Sequence, residues 1–274
     1  MSWPQLSMNE VTTFRWSFQE DVYRYADAGY QAISIWRQKL SDYGEQDGVD
    51  LLAESGLRVA SLLWAGGFTG SDGRSYEDSI DDAAHAIRLA GALGAGCLVV
   101  YAGGRNNHTF RHAERLFCSA LDRLIGLAEA ADVTLAIKPM HPACASDWTF
   151  LTDLESTIAM VERFRSKHLK MVFDAYHFGH DQAVIANLPE IVPHIALVQL
   201  GDRKAAHNTD HDRCPLGCGV VPLSEIVQNM LIAGYQGDFD IELVGQDIEF
   251  CDYDRLLADS RLAFEELLTP ALQR

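Results

Sequence analysis

Eight short apolar runs, each followed by a longer amphipathic stretch, set the strongest limit on what this chain can fold into. The runs are Thr12–Trp16, Ala32–Trp36, Arg58–Leu63, Cys97–Tyr101, Thr134–Lys138, Lys170–Asp174, Ile195–Leu200 and Phe239–Leu243. Apolar residues dominate them with little alternation, the pattern of strands covered on both faces. The stretches between them carry helical spacing. In Phe110–Ala131, for example, Phe110, Phe117, Leu121, Leu124 and Ala128 fall on one broad apolar face. Ser17 ahead of Glu20 and Asp21, and Asp153 ahead of Glu155, read as helix starts, where a side-chain oxygen caps free N–H groups and acidic residues favour the positive end. No Pro-, Gly- or Ser-rich linker divides the 274 residues. Eight strand–helix units in about 250 residues match the size of a (β/α)8 barrel. The sequence therefore predicts an α/β fold, a single TIM-barrel domain over residues 1–274. A doubly wound sheet is the competing layout, but no GxGxxG follows the first strand.

Charge narrows the partners. With 22 Lys and Arg against 39 Asp and Glu, the formal net charge is −17. Nucleic acid is not expected as a partner, because phosphate binding needs clustered cations. The longest apolar run, Ala92–Gly104, is too short and glycine-rich to cross a bilayer, and no signal peptide is visible at the start. The six cysteines then read as reduced thiols in a cytoplasmic protein. Exposed barrel helices keep a homo-oligomer open.

Barrel geometry gathers strand ends and the loops after them at one mouth. Standing there are Arg15 and Trp16, Trp36 with Arg37 and Lys39, Trp64, Tyr101 with Arg105, Asn107 and His108, Lys138 with His141, Asp174 with His177, Gln199 with Asp202 and Arg203, and Glu242. Aromatic walls with carboxylate, amide, ammonium and imidazole groups suit a sugar or polyol. Asp174 and Glu242 are lone carboxylates in apolar strands, and Lys138 is a lone ammonium in another. Buried charges are costly unless paired or bound to metal. The three therefore read either as site residues or as a buried structural ion pair, and Lys138 also as a side chain that reaches back to solvent. Gly201–Pro222, polar and rich in His and Asp, is too long for an ordinary connection and reads as functional or disordered, at the place where barrel enzymes build their sites. Its His207 and His211, with Asp210 and Asp212, read as an exposed loop, and Cys214 and Cys218, with no second Cys pair nearby, are a weak signal for zinc. His108 and His112 read as a solvated helix start.

The order of these strand ends resembles the xylose-isomerase-like barrels, a group of sugar and sugar-phosphate isomerases and epimerases with inosose-processing relatives. The resemblance runs over nearly the whole chain, through FRWSFQEDVYRYADAGYQAISIWRQKL, LAIKPMHP, MVFDAYH, VQLGD and GYQGDFDIEL. It implies one divalent metal (Mn, Mg or Zn) held by Glu, Asp, His and Glu from strands five to eight. Asp174 and Glu242 match two of these ligands, and His177 fills a further family position. Gln199 stands where His is usual and still offers a carbonyl oxygen. Lys138 stands where the family has Glu, and a protonated lysine has no lone pair to give. The expectation is that Lys138 takes over part of the ion's charge by pairing with Asp174 and Glu242.

By this resemblance the chain is expected to be a sugar, polyol or sugar-phosphate isomerase or epimerase that moves a proton next to a carbonyl at the mouth of the barrel. Glu242 or His177 would carry the proton, Lys138 would steady the enediolate, and Trp36, Arg105, His108, His141 and Arg203 would hold the substrate. The alternatives are a Schiff-base lyase using Lys138 and a metal-free relative that binds a sugar-like ligand without turnover.

Overall fold

The computed structural model of the chain describes residues 4–205 and 211–272. Its strands are β1 (Gln5–Asn9), β2 (Ala32–Trp36), β3 (Arg58–Gly66), β4 (Cys97–Tyr101), β5 (Thr134–Ile137), β6 (Leu169–Asp174), β7 (Ile195–Leu200), β8 (Asp202–Arg203), β9 (Arg213–Cys214) and β10 (Asp238–Ile241). Eight of them, β1 to β7 and β10, close into a parallel barrel, each beside its neighbour in chain order, with β10 returning to β1. Helices alternate with the strands, so the chain is a (β/α)8 TIM barrel. Among the described residues no helix is long and apolar enough to cross a membrane.

The period-two alternation of each strand builds two cores. Outward residues such as Leu135, Ile137, Met171, Phe173, Phe239 and Ile241 pack under the helices. Inward residues such as Ala60, Val99, Ala136 and Val172 fill the barrel with small side chains at its base. The helix starts form as their caps require. Ser17 accepts from Glu20 N while the Glu20 carboxylate accepts from Ser17 N at 2.8 Å, and Asp153 accepts from Ser156 N at 2.7 Å.

The first strand lies earlier than the sequence suggests. Thr12–Trp16 is β-branched and aromatic but forms turns, with Thr12 N donating to Asn9 O and Trp16 N donating to Thr13 O. The strand is Gln5–Asn9, registered Ser7 to Asp240 and Met8 to Ile241. Its inward residues, Ser7 and Asn9, are polar because they bond a buried carboxylate, and that polarity disguises the strand. The long segment after β7 holds a small antiparallel ribbon, β8 paired with β9. His207 and Asp210 lie outside the described residues.

Candidate active site

Lys138, Asp174, Gln199 and Glu242 turn inward at the ends of four adjacent strands and meet. Lys138 Nζ lies 2.8 Å from Glu242 Oε1 and 3.2 Å from Asp174 Oδ2. A second cation joins them from β9: Arg213 Nη2 lies 3.0 Å from Asp174 Oδ2 and 3.1 Å from Glu242 Oε1. Lys138, Asp174 and Arg213 are sealed from solvent, and Glu242 keeps only 6% exposure. Two cations and two anions therefore form a neutral, closed network.

That closure fixes the protonation states. Burial works against the Lys138 charge, but Glu242, Tyr101 and Asp174 outweigh it and hold the ammonium above the usual lysine range. Burial alone would raise Asp174, but Arg213, Lys138 and His177 reverse this and hold it well below the usual carboxylate range. A lysine held cationic in two ion pairs is a poor Schiff-base nucleophile. His177 is fully buried, with Nε2 3.6 Å from Asp174 Oδ2.

Below the network, a second carboxylate is tied into the barrel. Asp240 accepts from Ser7 Oγ at 2.5 Å and Asn9 Nδ2 at 2.8 Å. Burial pushes its pKa up to about 6. Gln199 Nε2 donates to Glu242 Oε2 at 2.5 Å and to Asp240 Oδ2 at 3.4 Å. The Gln199 carbonyl oxygen has no hydrogen-bond partner among the described residues.

The ribbon delivers Arg213 through two close approaches. A Cβ on Gly201 would lie 2.7 Å from Arg213 Nη1, so only glycine lets the guanidinium cross there. Asp202 gathers the far side of the loop, accepting from Gly217 N, Gly219 N and Val221 N at 3.1, 2.9 and 3.1 Å.

The remaining expected residues separate into two groups. Trp36 ends β2, half-buried, with its N–H bonded to Glu10 at 2.7 Å. His141, on the loop after β5, faces His180 with ring centroids 5.4 Å apart. Arg203 is buried. Trp64, Tyr101 and Trp148 form an aromatic wall, Trp148 standing 5.1 Å from each of the other two. Arg105, by contrast, is exposed and folds back on His108 O at 3.1 Å, while the His108 ring bonds Thr69 O at 3.2 Å. Lys39 turns under the barrel rim to Asp21 at 2.5 Å and to Thr13 O at 2.9 Å, a buried structural contact.

The fold has counterparts. A family model described as xylose isomerase-like TIM barrel matches residues 22–265. The chain belongs to the xylose isomerase-like TIM-barrel family. Protein SMc04130 from Sinorhizobium meliloti 1021 is 26% identical, covers 96% of this chain and 98% of its own, and superposes with a TM-score of 0.89. The IOLI protein, solved with a binding zinc atom, is 17% identical over 97% of this chain and 99% of its own, TM-score 0.85. L-ribulose 3-epimerase is 18% identical over 99% and 96%, TM-score 0.80. At those last two identities the likeness is one of fold. No curated protein sequence matches the chain.

The residues of this xylose isomerase-like barrel do not fit a divalent metal. The point between Asp174 and Glu242 is taken by the Lys138 ammonium, and Arg213 adds a second positive charge within 3.1 Å of both carboxylates. An entering dication would meet repulsion on the order of several kcal/mol. Among the described residues no three His, Cys, Asp or Glu side chains gather as a metal site.

Sequence reasoning missed Arg213, Asp240, Asn9 and His180. Asp240 had a signal: in FDIEL it is two residues before Glu242, hence on the same face of the strand. Asn9 was hidden by the misplaced first strand. Arg213, on the short strand β9, and His180 sit in the long connections after β7 and β6, whose paths periodicity does not reveal.

Proposed function

We propose that this barrel is an isomerase or epimerase of a small hydroxy-carbonyl compound, a sugar or polyol, working without a metal. The observation that carries the reading is the pair of cations, Lys138 and Arg213, standing together at the convergence of four strand ends. Enolisation beside a carbonyl places negative charge on oxygen, and fixed cations in a dry site stabilise it strongly.

The proton carrier follows from the network. Glu242 already receives Lys138, Arg213, Gln199 and Asn9, so both its oxygens are occupied. Asp174 is held anionic. Proton transfer therefore falls to His177, kept beside Asp174. His177 takes the proton from the carbon next to the carbonyl, the electron pair moves into the enediolate, and Lys138 and Arg213 balance the oxygen's charge. Return of the proton to the neighbouring carbon, with the hydroxyl proton passing from one enediolate oxygen to the other, completes an isomerisation, whereas an epimerisation takes a solvent-derived proton on the opposite face of the same carbon. The Gln199 carbonyl accepts from a substrate hydroxyl, and Trp36, Trp64 and Tyr101 wall the entrance.

Incubation with aldoses, ketoses and inososes in D2O, followed by NMR, tests this. Deuterium entering beside the carbonyl, abolished in His177→Gln and reduced at least about a hundredfold in Lys138→Met, is the expected result. Absence of exchange with every compound would overturn it. A second reading, ligand binding without turnover, is favoured by the closed and charge-balanced network. Heat of sugar binding with no exchange would select it.

A further inference from the structure

Charge is spread unevenly over the surface. Residues 105–115, which follow β4 and begin the helix Phe110–Ala130, carry Arg105, Arg111 and Arg115 with His108 and His112 against one acid, Glu114. These groups run on from one another. Arg105 Nη2 donates to His108 O at 3.1 Å, the His108 and His112 rings lie 4.6 Å apart, and Arg115 Nη2 donates to His112 Nδ1 at 2.6 Å. None of the three arginines makes an ion pair among the described residues, although the chain carries a net charge of −17. Phe110, next to Arg111, is 44% exposed. A basic patch with an exposed ring suits an acidic surface that also offers apolar contact.

The complement lies on the same chain, in residues 246–254 after β10. Asp247, Glu249, Asp252 and Asp254 stand there with no Lys or Arg among them. Lys204 pairs with Asp247, Arg24 pairs with Asp254, and Arg15 Nη2 donates to Cys251 O. Glu249 and Asp252 are left without an ion pair among the described residues. Phe250, between them, is 80% exposed.

The order of the barrel places the two surfaces. β4 and β10 are four steps apart in either direction round the ring, so they face each other across it. Both patches follow the C-terminal ends of their strands and therefore stand on the rim of the mouth, at opposite ends of one diameter. A half-turn about an axis in the plane of the rim, perpendicular to that diameter, brings a second copy mouth to mouth with the first. The same half-turn sets each basic patch on an acidic one. The contact is made twice and closes on itself.

We propose that two copies of this chain pair in this way, residues 105–115 of each docking on residues 246–254 of the other. Contacts at the two ends of one diameter leave the rim open between them, so solutes reach both mouths. The pairing does not depend on the isomerase reading.

Sedimentation velocity of the full chain over a range of concentrations tests it. A monomer–dimer equilibrium with a Kd in the micromolar range is expected in dilute buffer, weakened at least about tenfold between about 0.03 M and about 0.5 M salt. Arg111→Glu with Arg115→Glu sets acid against acid at both contacts, and Asp247→Lys with Glu249→Lys sets base against base. Each double variant alone is expected to sediment as a monomer. Mixed in equal amounts they are expected to pair again, because one contact is then charge-reversed and the other unchanged. Arg88→Glu, on the outer helix Tyr76–Ala92, is expected to keep the parent's equilibrium. All these positions are exposed or half-buried, so the variants keep their fold. A monomer at every concentration in dilute buffer, a dimer that survives in both double variants, a mixture that fails to pair, or growth beyond a dimer overturns the proposal.

Discussion

Lys138 shows how one residue changes the chemistry its neighbours can do. In this network it pairs with both Asp174 and Glu242 away from solvent and helps to hold Asp174 ionised. Lys138→Met is expected to cost about 3–5 kcal/mol in urea denaturation, because it strands buried carboxylate. Lys138→Glu removes the ammonium and returns a third carboxylate. That variant is expected to take up Mn or Zn near one equivalent by mass spectrometry, while the parent stays far below that. Asp240 and Asp21, both pushed up to about 6, contribute in the opposite sense to Asp174. A carboxyl raised on folding stabilises fully below its ordinary value of 3.8 and loses that contribution as pH rises through about 6. A lowered one, Asp174, contributes above its ordinary range and is lost in acid. Asp240→Asn is therefore expected to flatten the decline in stability between pH 4 and 6 by on the order of 1–3 kcal/mol, read from urea midpoints across that range.

At the scale of elements, the ribbon after β7 decides whether the centre is open or closed. Arg213 reaches Asp174 and Glu242 only because Gly201 leaves space beside its guanidinium. Gly201→Ala is expected to displace Arg213 and to lower stability by about 1–3 kcal/mol, measured by thermal unfolding beside Arg213→Met. If Gly201→Ala matches the parent in stability, the guanidinium is not held as described. Strand β1 carries a complementary lesson. Its alternation of Leu6 and Met8 with Ser7 and Asn9 was legible as period two, but the inward residues are polar for a tertiary reason, the Asp240 carboxylate. The apolar content of Thr12–Trp16 outweighed that alternation in a reading from sequence. The strands β2, β4 and β7, in which apolar residues dominate, fall on the predicted residues.

For the whole molecule, a net charge of −17 on one barrel implies self-repulsion of the folded surface. Raising salt from low ionic strength to about 0.2 M is expected to stabilise the fold by about 1 kcal/mol, a rise of about 2–4 °C in melting temperature by calorimetry. The sequence by itself determined the barrel, since apolar runs buried on two faces and alternating with amphipathic helices have few other ways to hide both sets of side chains. It also singled out Lys138, Asp174, Gln199 and Glu242, because a polar group at the end of an apolar strand has to be accounted for wherever the chain folds. Only the tertiary structure decided what those residues meet. Arg213 joins them from the ribbon after β7, Arg105 and His108 turn to their own loop, and His141 meets His180 across two connections, because contacts between distant segments depend on chain paths that no local period encodes.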